Sequence, residues 1–243
     1  MPAESAGRQA QCEQGVLDEM SDIILIIPAF NEAQNIELVV DELIEKYPEL
    51  DYIIINDGST DNTSEICHKR GYHIIDHPEN RGLAGAFHTG MKYAYDNGYE
   101  CAVQFDGDGQ HRAEFVPAMY EKLKAGYDIV IASRFIGKKK PLSMRMLGSN
   151  MIQLAIRMKT GADIKDPTSG MRMYGRRLLE EFSKDASYVP EPSTIALLIK
   201  RGARVAEVPA VMNERQGGES YLTPTVAVKY MYKVMKGIIF GKH

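Results

Sequence analysis

Two carboxylates separated by one glycine form the most informative chemical motif in this chain. The apolar run Cys101–Phe105 ends directly in Asp106, Gly107 and Asp108. A buried strand that ends in this way places both carboxylates at the sheet edge where open α/β sheets bind ligands. Adjacent carboxylates repel each other unless a cation lies between them, and Mg²⁺ typically takes one or two of them together with substrate phosphates. The motif predicts a divalent-metal site for a phosphorylated ligand, with an ordinary strand-to-helix turn as the alternative.

Two further segments place polar groups or glycines beside predicted strands. Asp57 follows the apolar run Tyr52–Ile55 and could accept hydrogen bonds from a nucleobase or ribose, or only shape the turn. Gly82 lies in a glycine-rich helix start, whose N–H groups can hold an anion. Close packing by small residues explains the same glycines, so both interpretations stay open.

A regular alternation of strands and helices must position these groups. The predicted strands are Ile23–Pro28, Tyr52–Ile55, Tyr72–Asp76, Cys101–Phe105, Tyr127–Ser133, Met171–Tyr174 and Arg204–Val208. The alternation is typical of βαβ units and predicts an α/β fold with a mainly parallel sheet. No G-x-G-x-x-G motif follows the first strand, which argues against a dinucleotide-binding Rossmann domain. Asn31 is the predicted N-cap of the first helix.

Length and composition are consistent with one large α/β domain. The chain has 243 residues, 44% of them hydrophobic, which is enough for a substantial core. It contains no run of 18 apolar residues and no signal-peptide pattern. The three cysteines match no metal or disulfide spacing. We therefore expect a cytosolic protein in which residues 1–21 form a loose leader.

The charge of the chain is unevenly distributed. Residues 1–133 contain 9 Lys and Arg against 24 Asp and Glu, whereas residues 134–243 contain 20 against 9. This asymmetry predicts that the second part of the chain faces anions, with chance surface composition as the alternative. No base-recognition motif accompanies the basic residues, so we do not expect nucleic acid as a partner.

The C-terminal segment has the pattern of an amphipathic helix. From Thr225 to Phe240, three lysines share one face of the predicted helix and apolar side chains share the other. This arrangement suits a helix in a membrane interface. It equally suits a terminal helix that docks on the core or on a partner, and the sequence leaves both alternatives open.

Six motifs resemble those of family 2 glycosyltransferases of the GT-A fold, in the order found in that family. They are IPAFNE, INDGSTDNT, NRGLAGAFHTGMKYA, FDGDGQH, DPTSGMRMY and EVPAVMNERQGGESYL. The resemblance covers about residues 22–221 and implies a single domain with a nucleotide-binding half, 22–133, and an acceptor half, 134–221. Residues 222–243 would then form the amphipathic helix. The FDGDGQH form is similar to the branch of polyprenyl- and dolichyl-phosphate sugar synthases.

The resemblance implies a role for residues in each motif, with Asp108, Asp166, Arg134 and Arg145 as the catalytic set. The implied roles are nucleotide contacts for Pro28, Phe30, Glu32, Asp57 and Gly82; metal and diphosphate contacts for Asp106, Asp108 and Gln110; phosphate contacts for Arg134, Arg145 and Arg215; and contacts near the sugar and acceptor for Asp166 and Ser169. The family often has two acids where this chain has Asn56 and Asp57. That departure affects contacts to the nucleoside.

The expected function is an inverting transfer of a sugar from a nucleoside diphosphate sugar, preferably a UDP-sugar, to a polyprenyl phosphate. The expected cofactor is Mg²⁺ or Mn²⁺. The expected place is the cytoplasmic face of the cell membrane, with the membrane surface and a small membrane protein as partners and cell-surface glycan synthesis as the purpose. The basic second half favours an anionic acceptor of this kind.

The acceptor decides whether a general base is needed. A lipid phosphate is already largely anionic at pH 7 and needs none. A sugar hydroxyl would need one, and Asp166 or Glu191 would be the candidate, which places Glu191 among the substrate-binding residues. A phosphatase or phosphomutase of the D-x-D-G type is a further alternative, with Asp106 as nucleophile and Asp108 as acid. In those enzymes the motif normally follows the first strand, whereas here it follows the fourth.

Overall fold

Seven strands form one sheet in the computed structural model, which describes residues 22–138, 140, 141, 143–213 and 224–241. They are β1 (Ile23–Ala29), β2 (Asp51–Asn56), β3 (Ile74–Asp76), β4 (Cys101–Gln104), β5 (Ile129–Ser133), β6 (Arg172–Gly175) and β7 (Val205–Pro209). Their order in the sheet is β3-β2-β1-β4-β6-β5-β7. Neighbouring strands are parallel except where β6 pairs with β4 and β5. The prediction of a mainly parallel α/β sheet is confirmed, and every predicted strand is present with its ends shifted by two residues or fewer.

Helices cover both faces of the sheet. They are α1 (Ile36–Lys46), α2 (Thr63–Arg70), α3 (Gly82–Asp96), α4 (Val116–Lys124), α5 (Met144–Thr160), α6 (Arg176–Lys184), α7 (Pro192–Lys200) and α8 (Pro224–Phe240), with a 3₁₀ turn at Ala113–Phe115. Helices α4 and α6 were not predicted from the sequence. The prediction of Asn31 as an N-cap is wrong, because α1 begins at Ile36 after Asn35.

Strand β1, in the middle of the sheet, shows why the apolar runs in the sequence were strong predictors of strands. Every residue of β1 from Ile23 to Ile27 is at most 1% exposed. Ile24 and Ile26 face a core cluster that includes α3, α5, α6, α7 and α8, whereas the alternate residues face a second cluster that includes α1, α2 and α4. Because both faces are covered, a strand at the centre of this sheet is apolar throughout.

The apolar face of α8 packs against the protein itself. Val234 and Ile238 are buried in the core, and Met231 and Met235 are partly buried against it. The lysines of α8 lie on its exposed side. Of the two alternatives for this segment, the structure therefore has a helix docked on the core. No helix within the described residues is long and apolar enough to span a membrane.

Candidate active site

One edge of the sheet collects the predicted site residues. The carboxyl ends of β2, β1 and β4 are neighbours there. Because β6 is antiparallel, its amino end lies at the same edge, beside the carboxyl end of β5. The residues concerned are Asp57 after β2, Pro28, Phe30 and Glu32 at β1, Asp106 and Asp108 after β4, Ser169 before β6, and Arg134 after β5. The topology thus brings side chains from both halves of the chain to one surface.

The loop after β4 holds its two carboxylates by short-range contacts. Asp108 is 8% exposed and its Oδ1 accepts a hydrogen bond from the Gln110 N–H at 3.1 Å. The Asp106 N–H donates to Nδ1 of buried His111 at 2.8 Å, and His111 Nε2 lies 3.4 Å from Asp106 Oδ2. Since Nδ1 accepts, the neutral imidazole carries its proton on Nε2 and presents it to the carboxylate. His111 is the last residue of the FDGDGQH motif, and no role was predicted for it from the sequence.

Gly170 keeps the space in front of Asp106 open. A Cβ atom at this position would lie 2.9 Å from Asp106 Oδ2 and 3.2 Å from His111 Cε1. Any side chain at residue 170 would therefore displace the carboxylate. The close approach explains the glycine at the end of the DPTSG segment.

The donor set at this loop fits a hard divalent cation. It offers two carboxylates, and no group of three or more His, Cys, Asp or Glu that could hold a metal occurs within the described ranges. Mg²⁺ and similar ions are bound by one or two carboxylates together with phosphate and water, whereas structural zinc needs a closed set of four N or S ligands. Asp106 and Asp108 fit the first pattern. The backbone of Gln110 supports Asp108, and a metal contact by its side chain stays a prediction.

Asp57 is a buried anchor of the loop after β2. It is 3% exposed, and its Oδ1 accepts the Arg81 N–H at 2.9 Å and lies 2.8 Å from His77 Nδ1. The other ring nitrogen of His77 lies 2.9 Å from Thr89 Oγ1. One carboxylate oxygen therefore shapes the turn, and a contact between Asp57 and a base stays a prediction. Gly82 begins α3 with a φ of 74°, and its N–H donates to the Asn80 side chain.

The loops after β1 and β2 are joined by side-chain hydrogen bonds. Asn31 has a φ of 57°, and its Oδ1 accepts the N–H groups of Thr60 and Asp61. Asp61 in turn accepts the Ala33 N–H at 3.2 Å and the Thr63 N–H at 3.0 Å. Partial burial raises the pKa of Asp61, but these hydrogen bonds outweigh it and hold the pKa below its usual 3.8. The same junction includes the Glu32 N–H, which donates to Thr63 Oγ1.

Arg134, which follows β5, and Asp166, which precedes β6, form a two-point ion pair. The Asp166 carboxylate is fully buried and accepts Arg134 Nε at 2.7 Å and Arg134 Nη2 at 2.8 Å. The Arg134 backbone N–H adds a third bond at 3.0 Å. Such two-point pairing fixes the plane of the guanidinium as well as its position. Two of the four predicted catalytic residues are thus in contact, and Asp166 holds Arg134 in place.

A buried arginine, Arg172, anchors the DPTSG segment through hydrogen bonds to its backbone carbonyls. Arg172 is 2% exposed and donates through Nε to the Ser169 carbonyl and through Nη2 to the Pro167 carbonyl. The hydroxyl of Ser169 is itself buried and donates to the Ala132 carbonyl at 2.6 Å. The structure therefore gives Ser169 a role in joining this segment to β5. Its predicted contact near sugar and acceptor stays a prediction.

A second cation stands beside the Arg134 pair. Lys140 Nζ donates to Gln153 Oε1 at 2.9 Å and to Ser149 Oγ at 3.4 Å, both uncharged groups. Ser149 Oγ lies 3.3 Å from Thr168 Oγ1, which contacts Arg134. Burial lowers the pKa of Lys140 below its usual 10.5. No site role was predicted for Lys140 from the sequence, where the only signal for one is the basic character of residues 134–145.

Comparison with known proteins identifies the family. The family model described as glycosyl transferase family 2 matches residues 24–183. The chain belongs to glycosyl transferase family 2. The resemblance seen in the motifs is confirmed, and the chain is a glycosyltransferase. Membership in this family sets aside the phosphatase or phosphomutase alternative.

Several family members resemble the chain over most of its length. An undecaprenyl-phosphate mannosyltransferase of Micrococcus luteus is 29% identical, covering 83% of this chain and 87% of the relative. A polyprenol monophosphomannose synthase of Mycolicibacterium smegmatis is 28% identical, covering 90% and 88%. Among solved structures, glucosyl-3-phosphoglycerate synthase from Mycobacterium tuberculosis, in complex with Mn²⁺, UDP-glucose and phosphoglyceric acid, has a TM-score of 0.66 at 20% identity, covering 89% of this chain and 78% of that chain. This likeness confirms the GT-A fold.

Of three other predicted site residues of this family 2 glycosyltransferase, one has a different partner and two fall wholly or partly outside the described residues. The Glu191 carboxylate bonds to Lys233 of α8 at 2.9 Å, so it is already engaged in an ion pair. Arg145 lies in the first turn of α5, and its side chain is outside the described part of the structure. Arg215 is also outside the described residues. Asn213, the last described residue before it, donates its N–H to the Gln110 carbonyl in the loop after β4.

Proposed function

We propose that the chain transfers a sugar from a nucleoside diphosphate sugar to a polyprenyl phosphate, with inversion at the anomeric carbon. The names of the Micrococcus and Mycolicibacterium relatives support a polyprenyl phosphate acceptor and make mannose the first sugar to test. A UDP-sugar donor is the expectation from the motifs, so uridine and guanosine donors must be compared. We place the reaction at the cytoplasmic face of the membrane, in cell-surface glycan synthesis, with the membrane surface and a small membrane protein as partners.

The observation that carries this proposal is the state of the two candidate bases. Asp166 is fully buried and bound at both oxygens by Arg134, and Glu191 is paired with Lys233. To accept a proton, Asp166 would have to give up a hydrogen bond to Arg134, which occupies both of its oxygens, whereas Glu191 is engaged only through Oε1 by an exposed lysine. A phosphate acceptor removes that requirement, because it is already an anion at neutral pH. The geometry therefore favours phosphate over a sugar hydroxyl.

Arg134 and Lys140 supply the positive charge that such an acceptor needs. The fork to Asp166 fixes the orientation of the Arg134 guanidinium before any substrate binds. Lys140 lies close by, with Ser149 and Thr168 linking the two. Because both side chains are partly withdrawn from water, their attraction for an anion is stronger than that of exposed cations. We assign the acceptor phosphate to this pair and extend the site to Arg145 by its place on α5.

The opposite side of the site would hold the donor. Asp57 and the joined loops after β1 and β2 form a rigid border for the nucleoside, with Pro28 and Phe30 beside it. Asp106 and Asp108 would hold a divalent cation, Mg²⁺ or Mn²⁺, which neutralises charge on the departing nucleoside diphosphate. His111 and Gly170 keep Asp106 oriented toward that position. The acceptor oxygen then approaches the anomeric carbon from the side of Arg134.

A transfer assay tests the proposal directly. The purified full chain is mixed with Mg²⁺ or Mn²⁺, undecaprenyl phosphate in detergent, and radiolabelled GDP-mannose, UDP-glucose, UDP-N-acetylglucosamine or UDP-galactose in turn. We expect label in the organic phase with one donor. Asp108→Asn should reduce transfer by at least 100-fold, whereas the matched control Asp96→Asn, at an exposed position of α3, should leave it unchanged. Calorimetric titration with nucleoside diphosphate, with and without metal, gives a second readout for the two carboxylates.

Each other result has a defined meaning. If nucleotide is released but the label stays in the water phase, the acceptor is a hydroxyl and not the lipid phosphate. That result would count against the view that Asp166 only holds Arg134 and is not a general base. Failure of every donor to be consumed, with correctly folded protein, would refute the proposed donor class or require the membrane partner. Wild-type transfer by Asp108→Asn, also after chelation of the metal, would remove the metal role.

A further inference from the structure

Helix α5 exposes a continuous apolar stripe that the packing of the described residues leaves uncovered. Leu147, Met151, Leu154 and Met158 are 54%, 47%, 55% and 73% exposed. Their spacing of four, three and four residues places them on one face of the helix. Single exposed apolar residues are common, but a contiguous set on a soluble domain marks an interaction surface. We call these four residues the apolar ridge.

The neighbouring helix α8 extends this surface. Gly148 packs so closely on Met231 that an added Cβ would lie 2.3 Å from the methionine methyl group. At the other end, Lys159 Nζ donates to the Ile239 carbonyl at 2.8 Å. Ile239 and Phe240 are 43% and 70% exposed. The exposed apolar end of α8 therefore lies close to the C-terminal end of the ridge.

The charged side chains of α5 and α8 are all basic, and the acids beside them, Asp163 and Glu191, lie outside the two helices. Neither α5 nor α8 contains an Asp or Glu, although the whole chain has a net charge of −4. Exposed Arg157 and Lys159 flank the ridge, and three exposed lysines lie on α8. Apolar side chains bordered by Lys and Arg are what a helix presents when it lies in the interface of an anionic bilayer. A soluble protein partner would not require the exclusion of every acid from both helices.

The position of the ridge relative to the site agrees with this occupant. Ser149 of α5 is 3% exposed, and its hydroxyl reaches Thr168 in the proposed acceptor site. The ridge lies on the other side of the same helix, at a distance of about one helix diameter, roughly 10 Å. An interfacial helix sinks about 5–10 Å into the boundary between headgroups and acyl chains. A helix seated in this way would hold Arg134 and Lys140 near the level of lipid phosphates.

We propose that the apolar ridge of α5 is the surface on which the protein seats itself on an anionic bilayer. The apolar face of α8, which the sequence pattern offered for this purpose, is consumed by packing on the core. The exposed lysines of α8 contribute attraction to anionic lipid. The inference rests on the proposed polyprenyl phosphate acceptor for its purpose, but the surface is tested independently of catalysis.

The test measures binding of the full chain to protein-free vesicles by co-sedimentation. Vesicles of phosphatidylcholine with 40 mol% phosphatidylglycerol are compared with vesicles of phosphatidylcholine alone. The variant Met151→Gln/Leu154→Gln removes the centre of the ridge. The matched control Leu38→Gln/Ile44→Gln changes two side chains of α1 that are 61% and 46% exposed. We expect the ridge variant to lose at least tenfold in partition to anionic vesicles and the control to match the wild type.

Three outcomes would overturn the inference. They are absence of wild-type binding to anionic vesicles, equal binding by the ridge variant, and a wild-type dimer in sedimentation velocity that the ridge variant abolishes. The changed residues are exposed, so thermal unfolding should confirm an intact fold. With a short-chain polyprenyl phosphate in detergent, the ridge variant should retain wild-type kcat, which separates docking from chemistry. Vesicle binding that depends on the ridge, in a wild type that transfers no sugar, would support the ridge while counting against the proposed function.

Discussion

The Arg134–Asp166 pair offers the sharpest test of how the acceptor site is built. We consider Asp166→Ala, Arg134→Ala and the double variant. Removing one partner of a buried pair is costly because it leaves an uncompensated charge, whereas removing both does not. The pair therefore predicts strong coupling in stability. A general base at Asp166 predicts instead that the two variants differ chiefly in kcat.

The burial of the two side chains sets the expected magnitudes. Loss of one partner of a buried pair costs about 3–5 kcal/mol. Asp166→Ala should fall at the lower end, about 3 kcal/mol, because the Arg134 side chain is 25% exposed and can turn toward water. Arg134→Ala should cost about 4–5 kcal/mol, because the remaining carboxylate is 0% exposed. The double variant should lose at least about 2 kcal/mol less than the sum of the two.

Urea denaturation followed by circular dichroism measures these changes, provided that the m-value is the same in all variants. The control is the neighbouring pair Asp163 and Lys165, whose side chains are 38% and 49% exposed. An exposed pair of this kind should show coupling of about 1 kcal/mol or less. Transfer should be lost in Arg134→Ala and should stay lost in the double variant, although the double variant recovers stability.

Additive losses in the double variant would refute this account of the pair. So would an Asp166→Ala variant with wild-type stability and a kcat reduced by several orders of magnitude. That second result would make Asp166 a base and return the hydroxyl acceptor as the leading function.

Three further predictions concern other parts of the site. Gly170→Ala should displace the Asp106 carboxylate and so reduce transfer and metal-dependent nucleotide affinity at least tenfold. Calorimetry measures the affinity. Unchanged affinity would refute the close approach of residue 170 to Asp106. Lys140→Met should raise the acceptor KM about tenfold with little change in kcat. In the wild type the acceptor KM should increase with rising pH, beginning below pH 10.5, because the pKa of Lys140 is lowered. If the variant shows the same pH profile, Lys140 does not bind the acceptor. Asp61→Asn should cost at most about 1 kcal/mol at neutral pH, because Asp61 is exposed and its hydrogen bonds compete with water. Since the folded pKa of Asp61 is lowered, this stability is present above 3.8 and is lost as the pH falls through the folded pKa. Equal acid unfolding of the wild type and the variant would contradict this prediction.

Much of the fold could be predicted because the strong signals in this chain are local. Parallel strands buried on both faces are continuous apolar runs, and β1 shows this pattern without interruption. The orientation of β6 could not be predicted in the same way. Its antiparallel place between β4 and β5 depends on pairing with strands far away in the sequence. The missed helix α6 did carry a helical signal, since Leu178, Leu179 and Phe182 share one buried face.

The same distinction between local signals and long-range contacts applies to the site residues. Asp106 and Asp108 could be placed at the sheet edge because the strand that carries them ends beside them in the sequence. The partners of Asp166 could not be predicted, since a carboxylate in a basic segment has many possible cations and only the fold selects Arg134, 32 residues away. The same holds for His77, which lies 20 residues from Asp57 and was assigned no role.

The C-terminal half shows why an amphipathic pattern alone does not identify a membrane surface. Periodicity states which side chains of α8 avoid water, but a bilayer and a protein core satisfy that requirement equally. In the structure the core takes the apolar face of α8, and that packing leaves the apolar ridge of α5 on the outside. If the ridge does seat the protein on the bilayer, α8 contributes through its exposed lysines and through the position it imposes on α5. The surface that meets lipid is then a product of tertiary packing, and this is why the sequence pointed to the neighbouring helix.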